Sequence, residues 1–300
     1  MGTWIKSLSS EMNRHFLSFR RSVIWSVGLI IFAIIGIAPF YPLKTISNNF
    51  TLYPPDVTVY NLYSPLFQNY IMAIVLLLSS LLISEDTENG TWTILRTTRI
   101  SRSPFILAKF IWMLIYAIAG SFVTVFVFTL YISSSLGYFA VDYFASGVEL
   151  VLSYLFIIAL TALFGLTISS IFAKRVYSVL AAAAYYVFLV AVSLNLYTTM
   201  FVNGSGSQDG FPGYNIHIPF IDKLFILMAP TTFDSAAASL MGLHTIIPNY
   251  LNGGAPSNQI TIFFPLLFST PLGYILPYLI LAASSVTLMW VTLFIKRRFL

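Results

Sequence analysis

The chain has 300 residues, of which 58% are hydrophobic and 8% are charged, whereas an ordinary soluble domain carries about 25% charged residues. It contains no cysteine, which excludes disulfides and cysteine-ligated metal sites. The net charge of +5 does not indicate nucleic-acid binding, because the basic residues are distributed as in a membrane protein. The composition predicts an all-α polytopic membrane protein.

The first 21 residues are predicted to form a cytoplasmic amphipathic helix. Trp4, Leu8 and Met12 recur at helical spacing, while Lys6 and Arg14 occupy other faces. A basic amphipathic helix in front of a span is most simply an interfacial helix. We therefore expect residues 1–21 to lie at the membrane surface and residues 22–300 to form the transmembrane domain.

Six apolar runs are each near or above the roughly 20 residues that a helix needs to cross the bilayer core. The predicted spans are 22–40, 65–83, 105–132, 148–172, 177–200 and 272–295. The segment 201–271 between the last two is interrupted by glycine-rich turns and by Pro230. We expect it to form short external helices that lie at, or dip into, the outer membrane surface.

The basic residues predict the orientation of these spans. Thirteen of the 15 basic residues fall in the segments that the six predicted spans place on one side of the membrane: Lys6, Arg14, Arg20, Arg21, Arg96, Arg99, Arg102, Lys109, Lys174, Arg175, Lys296, Arg297 and Arg298. Only Lys44 and Lys223 fall on the other side. We therefore expect a multi-pass protein of the cell membrane with both termini in the cytoplasm.

A polar segment, residues 84–104, separates the second and third predicted spans and is called the coupling loop below. Asn89-Gly90 is a turn dipeptide, because glycine tolerates positive φ. Thr91 is a good N-cap for a short helix through about Arg99. Ser103-Pro104 predicts the start of the next helix. A short helix on a loop between two spans is well shaped for docking a partner.

The residue order in this loop resembles the first cytoplasmic loop of ABC-2-type transporter permeases. Members of that family typically carry a Glu, a Gly-Thr pair, a run of leucines, a Pro-x-Ser-Arg segment and a Gly-Lys pair. Here Arg99 stands where the family often has Pro, and Ala108 where it often has Gly. The residues that the resemblance assigns to ATPase coupling are Glu88, Gly90, Thr91, Leu95, Arg96, Arg99, Ser101, Arg102 and Lys109. Of these, we expect Glu88, Gly90, Arg102 and Lys109 to lie in a solvated loop.

The resemblance implies the membrane subunit of an ATP-driven ABC transporter, expected to be an exporter. The chain has no Gly-x-x-x-x-Gly-Lys-Ser/Thr phosphate loop, so it is not expected to be an enzyme or to hold a cofactor. ATP and Mg are expected in a partner, an ABC ATPase subunit. A second permease subunit, identical or different, and the lipid bilayer complete the expected partners, with no nucleic acid among them.

Three other interpretations remain open. The chain could be a membrane scaffold or sensor that docks a regulatory ATPase, an ion-coupled secondary carrier, or a protein whose loop has no docking role. The predicted spans contain almost no ionisable residue near their middles, which weighs against a carrier.

Ser and Thr side chains in spans usually form hydrogen bonds within their own helix or to a neighbouring helix. Those that could instead line a pathway include Ser79, Ser80, Thr124, Thr161 and Thr167. Gly28, Gly36 and Gly165 are expected to permit close helix packing.

Overall fold

The computed structural model describes residues 2–17, 19–37, 59, 67–91, 102–136, 139–204, 237, 240–241 and 271–299. The regular elements in these ranges are helices: α1 (Gly2–Leu17), α2 (Phe19–Ile37), α3 (Met72–Glu88), α4 (Arg102–Leu136), α5 (Val141–Ile171), α6 (Arg175–Gly204) and α7 (Pro271–Phe299). One π-helical turn, Phe67–Ile71, leads into α3. The predicted all-helical fold is confirmed for this part of the chain.

Four of the described helices are long and apolar enough to cross a membrane: Asn69–Glu88, Ser103–Ser134, Val141–Ile171 and Ile275–Ile295. They coincide with the predicted second, third, fourth and sixth spans. The predicted first and fifth spans fall on α2 and α6, whose side chains the structure describes only in part. A multi-pass membrane location therefore has direct support, and the count of six spans stays a prediction.

The chain divides into two compact units. The first comprises Met1–Ala182 and Leu281–Leu300, and the second comprises Ala183–Ile280. In the second unit the described residues are the later part of α6, residues 237, 240 and 241, and the beginning of α7. Nearly all of the predicted external segment 201–271, including its short helices, lies outside the described residues.

Helices α2 and α4 run parallel to each other. A side chain at Gly28 would collide with Tyr116, and one at Gly120 would collide with the ring of Phe32. The hydroxyl of Thr124 donates to the carbonyl oxygen of Phe32 at 3.0 Å. Because the residue numbers in contact rise together, both helices begin at the same end of the bundle. The expectation of close packing at Gly28 is confirmed.

The pair α3 and α5 forms the most extensive helix contact of this unit. The rings of Phe67 and Tyr154 lie 5.1 Å apart at one end of the contact. Further along, a Cβ at Gly165 would lie 2.7 Å from the carbonyl oxygen of Leu76 and 2.8 Å from Cβ of Ser79. Only glycine allows this approach, so the packing role expected of Gly165 is confirmed. These helices are also parallel, and α3 and α5 therefore end at the same level.

Helix α4 runs antiparallel to α5, since Gly147 near the start of α5 packs against Val125 in the later part of α4. The end of α3, the start of α4 and the end of α5 consequently meet at one end of the bundle, beside the coupling loop. Helix α1 packs mainly on α4 and also touches α2. Its predicted position at the membrane surface stays a prediction.

Candidate coupling site

The end of α3 forms the turn that the sequence predicts. Asn89 N–H donates to the carbonyl oxygen of Glu85 at 3.0 Å, and Gly90 N–H donates to that of Thr87 at 3.2 Å. Gly90 has a φ of +71°, a left-handed conformation that glycine adopts without steric cost. A Cβ there would meet nothing within 4 Å. The backbone, and not crowding, therefore selects glycine at this position.

Glu88 joins the coupling loop to the short connection between α5 and α6. Its Oε2 accepts a hydrogen bond from Arg175 N–H at 3.1 Å and another from Arg175 Nε at 2.9 Å. Arg175 Nη1 also lies 3.9 Å from Oε1 of Glu85. The Glu88 and Arg175 side chains are 38% and 42% exposed, so solvent screens the link and it contributes little to stability. Its main consequence is positional, since it fixes one side of the loop to the start of α6.

A buried ion pair lies behind this exposed link. The ammonium group of Lys109 in α4 contacts the carboxylate of Asp86 in α3, and their side chains are 0% and 1% exposed. Lys109 Nζ also donates to the carbonyl oxygen of Leu82 at 2.9 Å and lies 4.7 Å from the ring centroid of Phe105. Lys109 therefore binds two groups that are one helical turn apart on α3.

Two serines from other helices bond to the backbone of the same stretch. Ser169 Oγ, from α5, accepts hydrogen bonds from Ile83 N–H at 2.9 Å and Ser84 N–H at 2.8 Å. Ser178 Oγ, from α6, donates to the carbonyl oxygen of Ser80 at 2.6 Å. Both serine side chains are buried. Asp86, Lys109, Ser169 and Ser178 together form what we call the α3 polar cluster, through which α4, α5 and α6 all bond to the last turns of α3.

The structure describes five of the nine predicted site residues: Glu88, Gly90, Thr91, Arg102 and Lys109. Glu88, Gly90 and Thr91 lie at the end of α3 and in the turn after it. Arg102 is the first residue of α4, which begins one residue before the predicted cap Ser103; Pro104 is tolerated there because first-turn N–H groups have no helical partner. Outside the described residues lie Leu95, Arg96, Arg99 and Ser101, with most of the predicted short helix.

The expectation that Lys109 lies in a solvated loop is wrong. Helix α4 begins at Arg102, so Lys109 stands in its second turn, with its side chain turned to α3 and fully buried. The sequence did not lead us to expect Asp86 as the partner of Lys109. The signal was present in the sequence, because a carboxylate and a lysine of opposite charge stand on the two sides of the same loop. Nothing in the sequence distinguishes Ser169 and Ser178 from other serines in apolar runs.

The remaining small polar residues behave as helix-packing groups. Thr161 Oγ1 donates to Ile157 O at 2.9 Å and contacts Met72 Sδ at 3.2 Å. Thr167 Oγ1 contacts the carbonyl oxygen of Ser285 at 3.1 Å. Within the described residues, no group of three or more metal-ligating side chains could hold a metal ion. The polar end of α3 is thus the part of this unit where charged side chains from several helices converge.

This fold and site define a multi-pass membrane protein with a polar, loop-bearing end. A model of the family described as ABC-2 family transporter protein matches residues 16–209, which is more than half of the chain, so the chain belongs to that family. No curated protein matches the sequence. Membership makes the chain a membrane transport subunit of an ABC transporter that works with an ABC ATPase and is not itself the ATPase.

Proposed function

We propose that this chain is the permease subunit of an ATP-driven exporter and that the coupling loop, residues 84–104, receives the movement of a separate ATPase. In this proposal the chain spans the membrane six times with both termini in the cytoplasm. ATP and Mg bind only to the partner, and two permease subunits, identical or different, assemble with two ATPase subunits. The direction of transport rests on the family resemblance.

The observation that carries the proposal is the convergence of four helix termini beside the loop. The Glu88–Arg175 link and the α3 polar cluster join the end of α3 to the starts of α4 and α6 and to the end of α5. A force on the loop therefore reaches four helices through direct contacts. A loop that only connected two spans would need basic residues, but it would not need this set of bonds.

The experiment that tests the proposal is purification of the tagged chain from its own host membrane in mild detergent. We expect a P-loop ATPase to co-purify and the complex to hydrolyse ATP, with activity abolished by substituting the phosphate-loop lysine of the partner. The chain alone is expected to hydrolyse none. Robust hydrolysis by the isolated chain, or a preparation that never contains a P-loop ATPase, would contradict the proposal. A stable complex that moves no substrate in any ATP-dependent assay would favour the scaffold interpretation.

A further inference from the structure

The buried pair Asp86–Lys109 is the feature that packing does not explain. Taking two charges out of water is costly, and a buried ion pair is often no more stabilising than a well-packed apolar pair. Both side chains are essentially inaccessible to solvent. Stability alone therefore gives little reason for a carboxylate and an ammonium group at these positions.

The geometry of the pair suggests a reason. Asp86 lies at the end of α3 and Lys109 near the start of α4, so the two residues stand at the two ends of the coupling loop. The ammonium group is surrounded by a carboxylate, the Leu82 carbonyl oxygen and the Phe105 ring. Because these neighbours come from both helices, the ammonium group fixes the position of one helix against the other.

We infer that Asp86 and Lys109 are positioning residues that join α3 to α4 at the ends of the coupling loop, so that the two helices move together when the ATPase moves the loop. Without the pair, the same force would separate the two helix ends and would be lost before it reached the rest of the bundle. The inference rests on the proposed function. It assigns to the pair the specific task of holding α3 against α4, whereas the exposed Glu88–Arg175 pair links α3 to α6.

The experiment uses the complex with its ATPase and a pair of spin labels at N89C and L107C. The chain has no native cysteine, and both positions are exposed in the structure. The distance between the labels is measured by pulsed electron paramagnetic resonance, with and without ATP and vanadate. The variant of interest is D86L/K109M, which removes both charges and leaves none unpaired.

We expect the labelled parent to keep one narrow distance distribution in both nucleotide states. We expect D86L/K109M to fold with a thermal midpoint near that of the parent, to broaden its distribution when nucleotide binds, and to hydrolyse ATP about tenfold more slowly, a typical coupling effect. The matched control is R175Q, which removes an exposed ion pair between α3 and α6. It should leave the distance between the labels on α3 and α4 unchanged.

Four results would overturn the inference. The first is a nucleotide-dependent distance in the parent, and the second is a D86L/K109M complex with a narrow distribution and parental hydrolysis. If D86L/K109M is not recovered, the swapped pair D86K/K109D is measured instead. It keeps opposite charges on α3 and α4, so it should keep the narrow distribution of the parent, and a broadened distribution is the third contradicting result. The fourth result is failure to recover either variant, which assigns the pair to folding. If the parent complex hydrolyses ATP, each of these results leaves the proposed function intact and overturns only the inference about the pair. A parent chain that binds no ATPase would instead contradict the proposed function.

Discussion

Glu88 and Arg175 are 87 residues apart in the sequence, yet one carboxylate oxygen of Glu88 accepts both the backbone N–H and the Nε–H of Arg175. The contact brings the connection between α3 and α4 and the connection between α5 and α6 to the same end of the bundle. The basic-residue pattern independently predicts the same side of the membrane for both connections. Glu88 thus connects the predicted coupling site to a second loop.

Reversing the charge of Glu88 should affect coupling and leave folding intact. Because the ion pair is exposed and screened by solvent, E88K should change the free energy of unfolding only slightly. ATP hydrolysis by the purified complex should fall, since the loop loses its attachment to α6. The double variant E88K/R175E restores opposite charges and should recover part of the activity. Equal hydrolysis by E88K and the parent would show that the link has no role in coupling.

Gly90→Ala tests the left-handed turn. Alanine at a φ of +71° should destabilise the chain by about 1 kcal/mol, with no contribution from crowding because the space around Gly90 is open. Gly90→Asn is the matched control, since asparagine tolerates this conformation better, and it should lose less. Thermal unfolding of the detergent-solubilised proteins measures the loss of stability in both variants. Identical midpoints for all three proteins would mean that this turn does not hold Gly90 in the left-handed region.

Gly165→Ala should separate α3 from α5. The added methyl group would meet the backbone oxygen of Leu76 at 2.7 Å, and such overpacking typically costs about 1–3 kcal/mol. S79A should not rescue the variant, because the Leu76 oxygen remains. Gly147→Ala is the matched case in which a second substitution can relieve the clash. The closest atom to the added methyl group would be Cγ1 of Val125, and V125A removes it while leaving the ordinary Cβ contact at 3.6 Å. Rescue of G165A by S79A would contradict this description of the contact.

Labelling of single cysteines tests the topology. Position 88 is exposed in the structure, and the basic residues place it in the cytoplasm together with position 298. An impermeant thiol reagent added to sealed cells should therefore label cysteines at positions 56, 208 and 255 but not at 88 and 298. Opening the cells should make position 88 reactive, which provides the control. Labelling of position 88 from outside would overturn the proposed arrangement of the spans.

The sequence was informative about helices because long apolar runs leave few alternatives in a membrane. It placed α4, α6 and α7 within four residues at both ends and found the turn at Gly90, where local chemistry decides the conformation. Helix α5 begins at Val141, whereas the predicted span begins at Val148. The predicted second span ended at the last apolar residue, Ile83, whereas α3 continues to Glu88. The additional turn is polar, and its side chains bond to Lys109 and Arg175 in other helices.

Contacts between helices were not predictable in the same way. Lys109 was assigned to solvent because it follows a charged loop, and only the packing of α4 on α3 shows that it is buried. Ser169 and Ser178 bond to backbone atoms of α3, and backbone atoms leave no pattern in a sequence. The packing glycines were recognisable as a type, but their partners were not.

The central claim, that the coupling loop transmits the movement of an ATPase, is tested most directly by ATP hydrolysis of the purified complex carrying Arg102→Glu. Arg102 is the first residue of α4, so a partner that binds it acts on that helix without an intervening segment. Expression in the membrane should stay normal. We expect Arg102→Glu to lose the co-purifying ATPase, its hydrolysis of ATP, or both. The contradicting result is that both Arg102→Glu and Glu88→Lys are expressed, co-purify with the ATPase and hydrolyse ATP at the levels of the parent. That result would show that this loop is an ordinary connection between two spans.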